Sequence, residues 1–392
     1  MLLVGEAAPS LSRLKHAVEA SEGWRVIQAP AADAGLGLLR SRPADLVVAS
    51  LGDENKAYGG FFRDVLPVAP GAIRVALLDD SAQPTRVEHA HQTLAVREDM
   101  SYLLPCLRSA ANVASVAGGR GEMQGIISRL RDVPSPPMLY FDIREELDGQ
   151  SGNAKRMAAV AARDPALVAR ILKTVNSRFY GLPRSVSDLT QAIGLIGAEA
   201  VLGLALASHL FSGLPTPGLR LEVLWQHVVS VSKLAGELAK HEGASRTEVG
   251  LATVAGLLHD IGLMVLLENE AARYQPLWQA AGGNETALVS LEREAFGACH
   301  GELGAMILSL WGLPGEVVNA VSNSHLPPSG GDAFSELDAA SRAVIAAEWL
   351  LDGHDRKQLD DLPTGLAIGE ATLESWLAVA ARLEAAAAGD VA

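Results

Sequence analysis

Short apolar runs recur along the first third of the chain: "LLVG", "WRVIQAP", "ADLVVASL" and "IRVALLDD". Between them lie segments such as "SLSRLKHAVEA" and "AADAGLGLLRSR", whose apolar positions return with helical spacing. Strands alternating with helices predict a parallel sheet flanked by helices over residues 1–115. The small-residue stretch "ASVAGGRGEMQG" follows a helical segment rather than a strand, so it predicts a flexible joint over 116–130 and not a phosphate loop. From Ile126 onward the periodicity is helical almost throughout.

Helix boundaries in this second part are legible. In "RDPALVARILKTVNSRFYG", Asp164 can cap and Pro165 fits the first turn. Leu167, Val168, Ile171, Leu172 and Val175 line one face, and the pattern stops near Asn176. Ser245 and Glu248 form a capping-box pattern, "SRTE", that opens a helix leading to His259. The apolar stretches 191–211 and 249–267 approach membrane-spanning length. Glu199 and His209 interrupt the first, and His259 and Asp260 the second, so both are expected to be buried helices of a core.

Composition narrows the function classes. The 392 residues suffice for two domains. Residues 1–120 carry 12 basic and 13 acidic groups, whereas 121–392 carry 20 and 33, so the net charge of -14 resides mainly in the second part. An acidic surface repels phosphate backbones and anionic lipid, which excludes nucleic acid and membrane surfaces as expected partners. Cys106 and Cys299 form neither a disulfide framework nor a CxxC metal site. They are read as buried hydrophobes of a protein in a reducing cytoplasm. The opening "MLLVGEAAPS" reads as a first strand rather than a signal peptide.

Candidate chemistry centres on "GLLHDIGL", Gly256 to Leu263, which sets a histidine beside an aspartate in an apolar run. His16, His89, His91, His241 and His354 stand in polar or terminal contexts and are expected at the surface, and His209 in the core. His227, His259, His300 and His325 each lie on or at the end of an apolar helix, so a bundle can gather them at one centre. Imidazoles with a carboxylate suit zinc, iron or manganese. Neighbouring His259 and Asp260 point about 100° apart on a helix, yet both can reach a single ion near a bend. A hydrogen-bonded His-Asp pair in the core satisfies the same spacing without metal, and both readings stand at this point.

Residues 1–115 resemble the receiver domain of bacterial response regulators in strand order, length and the phrase "PADLVVASL". That resemblance implies a doubly wound, flavodoxin-like α/β fold. It places Gly5 and Glu6 at the metal-holding acidic pair, Ser50 at the phosphoacceptor, Leu78 at the serine or threonine ending the fourth strand, and Val96 at the lysine after the fifth. Phosphoryl transfer to a carboxylate needs the carboxylate and a cation beside it. Ser50 supplies no carboxylate, and Asp53 is read as a loop residue, so a pseudo-receiver used for docking is expected.

The second part resembles the HDOD domain, a regulatory relative of the HD metal-dependent phosphohydrolases. The resemblance runs through "VPSPPM", "DPALVARILKTVNSRFYG", "AIGLIGAEAVLGLAL", "LWQHVVSVSKLA", "AGLLHDIGLMVL", "HGELGAMILSLWGLP" and "SNSH". It implies an all-α HD-related domain over 131–330, with a helical extension over 331–392 packing on it. His227, His259 and Asp260 then match the first metal-ligand set, and Glu348 falls near the place of the family's late aspartate. His300 and His325 match further ligands of the HD-GYP relatives, but Ser324 stands where those enzymes carry a second histidine and "LPPSGGDAF" lacks their Gly-Tyr-Pro loop. The resemblance therefore implies a cytoplasmic bacterial signalling protein that acts as a non-catalytic scaffold with no cofactor. Its implied partners are signalling proteins such as sensor kinases or cyclic-di-nucleotide enzymes, and a homodimer is compatible. The alternatives are a metal-dependent phosphohydrolase or nucleotide phosphodiesterase, with His259 and Asp260 catalytic, and a nucleotide sensor without turnover.

With Ser50 at the acceptor position, incubation with acetyl phosphate and magnesium is expected to leave the intact mass unchanged. A phosphoryl increment that disappears on Asp53→Ala would show that the loop aspartate accepts phosphate.

Overall fold

The computed structural model describes residues 1–6, 9–50, 55–79, 87–96, 103–119, 130, 133, 136–148, 154–176, 185–211, 221–325, 333–351 and 370–388. Asp53 and His354 lie outside these residues, as does the His209 side chain. The chain forms two compact units. One comprises Met1–Met138, Val265–Cys299 and Met306–Leu313; the other comprises Leu139–Met264, His300–Ala305 and Pro314–Ala392.

In the first unit, strands β1 (Leu2–Gly5), β2 (Ile27–Ala29), β3 (Leu46–Ser50), β4 (Ile73–Asp79) and β5 (Gln92–Val96) alternate with helices α1 (Pro9–Glu22), α2 (Ala32–Ser41) and α3 (Asn55–Val65). Helix α4 (Leu103–Gly119) follows β5 and continues four residues into the joint expected over 116–130. All pairings are parallel, and the order is β2-β1-β3-β4-β5. This is the flavodoxin-like arrangement that the alternating pattern predicts. Parallel strands are covered on both faces, which is why "LLVG" and "LVVA" read as continuous apolar runs and are buried at every position. Val4, Val47, Ala49, Phe61, Phe62 and Val65 pack in the resulting core. Gly5 pairs with Ser50, so the ends of β1 and β3 lie side by side as in a receiver, without a carboxylate at the end of β3.

Two histidines depart from expectation. His89 and His91 are buried, not at the surface, because the fully buried Arg74 of β4 gathers them. Arg74 Nε donates to His89 O at 2.6 Å, and its Nη2 lies 2.8 Å from His91 Nε2. Burial alone pulls the guanidinium down to about 9, which still leaves it charged at neutral pH. A short polar "HAH" in sequence gives no sign of a buried cation one strand away.

The second unit is helical. It contains α5 (Met138–Asp148) from Leu139 on, α6 (Ala154–Ala161), α7 (Pro165–Val175), α8 (Leu189–Ile196), α9 (Ala198–Phe211), α10 (Leu221–His241) and α11 (Arg246–Leu258). Helix α12 (Ile261–Ala281) contributes its first four residues here and the rest to the first unit, where α13 (Glu285–Phe296) follows. Helix α14 (His300–Leu310) contributes His300–Ala305, and α15 (Gly315–Asn323), α16 (Ala333–Glu336), α17 (Ala339–Leu351) and α18 (Glu370–Ala388) complete the unit. Asp164 caps α7 by accepting from Ala166 N and Leu167 N, and α7 ends at Asn176 as its pattern predicts. The capping box of Ser245 and Glu248 is formed at α11. Gly197, at φ 90°, breaks the first long apolar stretch into α8 and α9, and the pair is bent by 102°. The stretch Arg246–Ala281 is apolar enough to cross a membrane by composition, but 78% of its apolar window is buried within the protein, as in a core helix.

Candidate metal centre

The second apolar stretch breaks at its histidine. His259 closes α11 as its C-cap, Asp260 follows, and α12 begins at Ile261. His259 keeps helical backbone angles, φ -59° and ψ -32°, so the two side chains meet at a junction of helices. His227 comes from the N-terminal half of α10, and His300 is the first residue of α14. His325 stands just beyond α15, and Glu348 lies in the last turn of α17.

All six groups converge. His227 Nε2 is 3.2 Å from His259 Nε2, 3.2 Å from Glu348 Oε1 and 3.7 Å from Asp260 Oδ2. His259 Nε2 is 3.3 Å from both Asp260 Oδ1 and Glu348 Oε2. His325 Nε2 and His300 Nε2 approach Asp260 Oδ1 at 3.4 and 3.6 Å. His227, His259 and Glu348 form one group of candidate donors and His259, Asp260 and His325 an overlapping one, with the rings of His300 and His325 4.4 Å apart. Only the His227 side chain is appreciably open, at 30% exposure; the other five are at 7% or less.

The glycines at the ends of "GLLHDIGL" make the convergence possible. A Cβ on Gly256 would stand 2.7 Å from Ser232 Cα, so the backbone of α10 passes directly against α11. A Cβ on Gly262 would stand 1.9 Å from His300 O, so α12 and α14 touch backbone to backbone. The first contact brings His227 within reach of His259, and the second brings His300 toward Asp260. The sequence displayed both glycines beside the His-Asp pair, but what each approaches is a tertiary fact.

The donor set poses an electrostatic problem. His259 Nδ1 lies 2.8 Å from Gly256 O, an acceptor, so Nδ1 carries the hydrogen and donates. In the neutral ring Nε2 then presents its lone pair, and it faces two carboxylate oxygens that also only accept. Such an arrangement holds together only with a cation at its centre, either a proton or a metal ion. Two anionic oxygen ligands with several imidazole nitrogens, one of them fixed in tautomer by a backbone carbonyl, are a donor set that fits a borderline divalent metal.

Without metal the groups shift in definite directions. Burial pulls His259 toward neutrality, but the charges of Asp260 and Glu348 outweigh it and hold the ring above the ordinary 6.5. Burial raises Asp260, yet the charge of His259 and hydrogen bonds from His300 and His325 carry it well below the ordinary 3.8. Glu348 is likewise raised by burial but is held below the ordinary 4.5 by His259 and His227.

The HDOD domain family model matches residues 133–327. Among solved structures, an HDOD domain protein of unknown function from Geobacter sulfurreducens is 20% identical, covering 69% of this chain and 98% of its own, with a TM-score of 0.53. A protein from Marinobacter aquaeolei, described from its sequence as acting in signal transduction, is 18% identical over 82% of this chain and 79% of its own, with a TM-score of 0.51. At these identities the likeness is one of fold. Ribonuclease Y of Deinococcus radiodurans is 30% identical over 122 residues, which are 31% of this chain and 16% of the ribonuclease. The chain spans less than half the length of the curated relatives it matches.

Two outcomes follow from the geometry. Gly262→Ala is expected to cost at least the ~1–3 kcal/mol of an overpacked core, since its methyl group meets backbone rather than a movable side chain. Urea denaturation measures that cost, and a loss within error of zero would contradict the close approach.

The second outcome concerns pH. His259 stability is complete below 6.5 and is lost as pH rises through its raised folded pKa. Asp260 and Glu348 stability is present above their ordinary values of 3.8 and 4.5 and is lost as pH falls through their depressed ones. Chelator-treated protein is therefore expected to melt lower at about pH 9 than at about pH 6, and saturating zinc or manganese to remove that difference by taking the place of the proton. Melting curves with parallel pH dependence in the presence and absence of metal would contradict it.

Proposed function

We propose that this chain, whose residues 133–327 match the HDOD domain model, is a signal-transduction protein whose helical unit holds a divalent metal and hydrolyses a phosphate ester with it. The observation that carries this reading is Glu348. Its two oxygens stand 3.2 and 3.3 Å from His227 and His259, supplying the late carboxylate that a complete ligand set requires.

His227, His259, Asp260 and Glu348 would hold the ion, and His300 and His325, both near Asp260 Oδ1, would extend the site. The ion when bound would supply Lewis acidity toward a phosphoryl oxygen and lower the pKa of water. The protein's own groups do the rest. The two carboxylates balance a divalent charge in a buried setting, where an unpaired cation would be costly. The hydrogen bond from His259 Nδ1 to Gly256 O keeps the Nε2 lone pair aimed inward. His227, at the open edge, is the side from which a substrate would enter. Asp260, within 3.7 Å of all four imidazoles, would join the two parts of the donor set. The partial likeness to ribonuclease Y supports a phosphodiester among the substrates to test first.

One observation favours the second reading, a regulatory scaffold that keeps a metal or a proton purely for stability. Five of the six side chains are almost wholly buried, which suits a closed structural site as well as a catalytic one. In either case the sheet unit, with Ser50 in place of an acceptor carboxylate, is proposed to act by contact rather than by phosphorylation.

Metal analysis beside a screen of phosphomonoesters and phosphodiesters separates the readings. We expect near-stoichiometric zinc, iron or manganese and metal-dependent turnover, both lost in Asp260→Asn. Stoichiometric metal without turnover of any phosphate ester would favour the scaffold, and metal-free active protein would overturn the role given to the ion.

A further inference from the structure

Within the helical unit, α10 and α11 form an antiparallel hairpin joined by the turn after His241, where Gly243 takes φ 80°. The two helices meet at successive levels. Nearest the turn, a Cβ on Gly236 would stand 2.6 Å from Thr253 Oγ1. At the middle level, a Cβ on Gly256 would stand 2.7 Å from Ser232 Cα and 2.9 Å from Ser232 N. At the far end His227 Nε2 lies 3.2 Å from His259 Nε2.

Glycines let the backbones approach, but a helix face without side chains offers its neighbour no ridge to resist axial sliding. Ser232 supplies a hold of another kind. Its hydroxyl leaves its own helix and donates to Thr253 O at 2.7 Å. A helix carbonyl keeps a second lone pair beside its ladder bond, so α11 gives up no bond of its own to accept it. The ordinary course for a helical hydroxyl is the carbonyl four residues back. Ser230 takes that course, donating to Gln226 O at 2.8 Å, and Thr253 does the same toward Val249 O. Of these three hydroxyls only the buried Ser232 spans the hairpin. It stands five residues from His227, about 7.5 Å along α10. A slip of one residue's rise is about 1.5 Å, whereas metal–ligand distances tolerate about 0.2 Å.

We propose that Ser232 is a positioning residue for the metal centre: its bond to Thr253 O fixes the axial register of α10 against α11, and with it the separation of His227 from His259. The proposal rests on the reading that these groups hold metal, and its test has an arm independent of that reading.

The full-length chain is compared with Ser232→Ala, which removes the donor, and with Ser232→Cys, which keeps a weaker one. Two controls accompany them. Ser230→Ala removes a hydroxyl from the same helix without touching the crossing, and Ile171→Val thins the core of the unit at α7. The first readout is the rate of carbethoxylation of His227, the open imidazole of the centre, in chelated protein. Peptide mass spectrometry follows it at a temperature where all variants are folded. The second is the dissociation constant of cobalt alone, a spectroscopic stand-in for zinc, with its visible absorption at saturation. Ser232→Ala is expected to raise His227 reactivity several-fold, to weaken cobalt binding by about tenfold, the scale seen when the support behind a ligand is removed, and to change the absorption bands. Ser232→Cys is expected to fall between Ser232→Ala and wild type. Ile171→Val is expected to lower the melting temperature, and both controls to leave the readouts at wild-type values. Wild-type readouts in folded Ser232→Ala, or an equal shift in Ile171→Val, would overturn the proposal. A wild-type protein that binds no cobalt would sink the metal reading, and the carbethoxylation arm would still decide the role of Ser232.

Discussion

Two carboxylates and four imidazoles meet at one buried volume, where the carboxylate oxygens and the inward Nε2 lone pair of neutral His259 only accept and call for a cation among them. Asp260 and Glu348 are almost completely withdrawn from water, where an unpaired charge is costly. Each is held ionised by the imidazoles that face it, and the carboxylates in turn shift His259 toward its protonated form. A metal ion relieves the same opposition more completely than a proton does, because it reaches several donors at once. The break between α11 and α12, the paired glycines and the crossing of α10 with α17 are consequences of bringing six groups to that volume.

Close backbone approach is how the fold meets the constraint. Gly256 and Gly262 admit neighbouring backbones at distances that no side chain would allow, so four helices converge within the length of one short motif. Further out, Trp376 of α18 donates to Glu242 Oε1 at 2.9 Å while Arg342 of α17 approaches Glu242 Oε2 at 3.5 Å. That carboxylate therefore joins α18 to the two helices that carry His227 and Glu348. The sheet unit has a different character. It keeps the order and register of a receiver but offers a serine where phosphoryl transfer needs a carboxylate, and its buried polar groups, Arg74 and Gln92, serve contacts within the fold.

By itself the sequence determined the fold class, because short continuous apolar runs and helical periods arise from local backbone geometry and show in any window of ten residues. Helix ends at Asp164, Asn176 and Ser245 were legible for the same reason: a cap acts on its own first or last turn. The candidate ligands were legible as residue types, since His227, His259, His300 and His325 stand out from apolar helices. Tertiary structure alone decided which of them meet. Glu348 was marked only by the family resemblance, and its meeting with His227 and His259 was decided by α17 lying against α10. His89 and His91 looked like surface residues until Arg74 drew them inward. Gln92 carried no signal at all, because its partner is a carbonyl 218 positions away. Local patterns record what a segment must do to fold, whereas distances between remote side chains depend on how whole helices cross, and a crossing is fixed by both partners together.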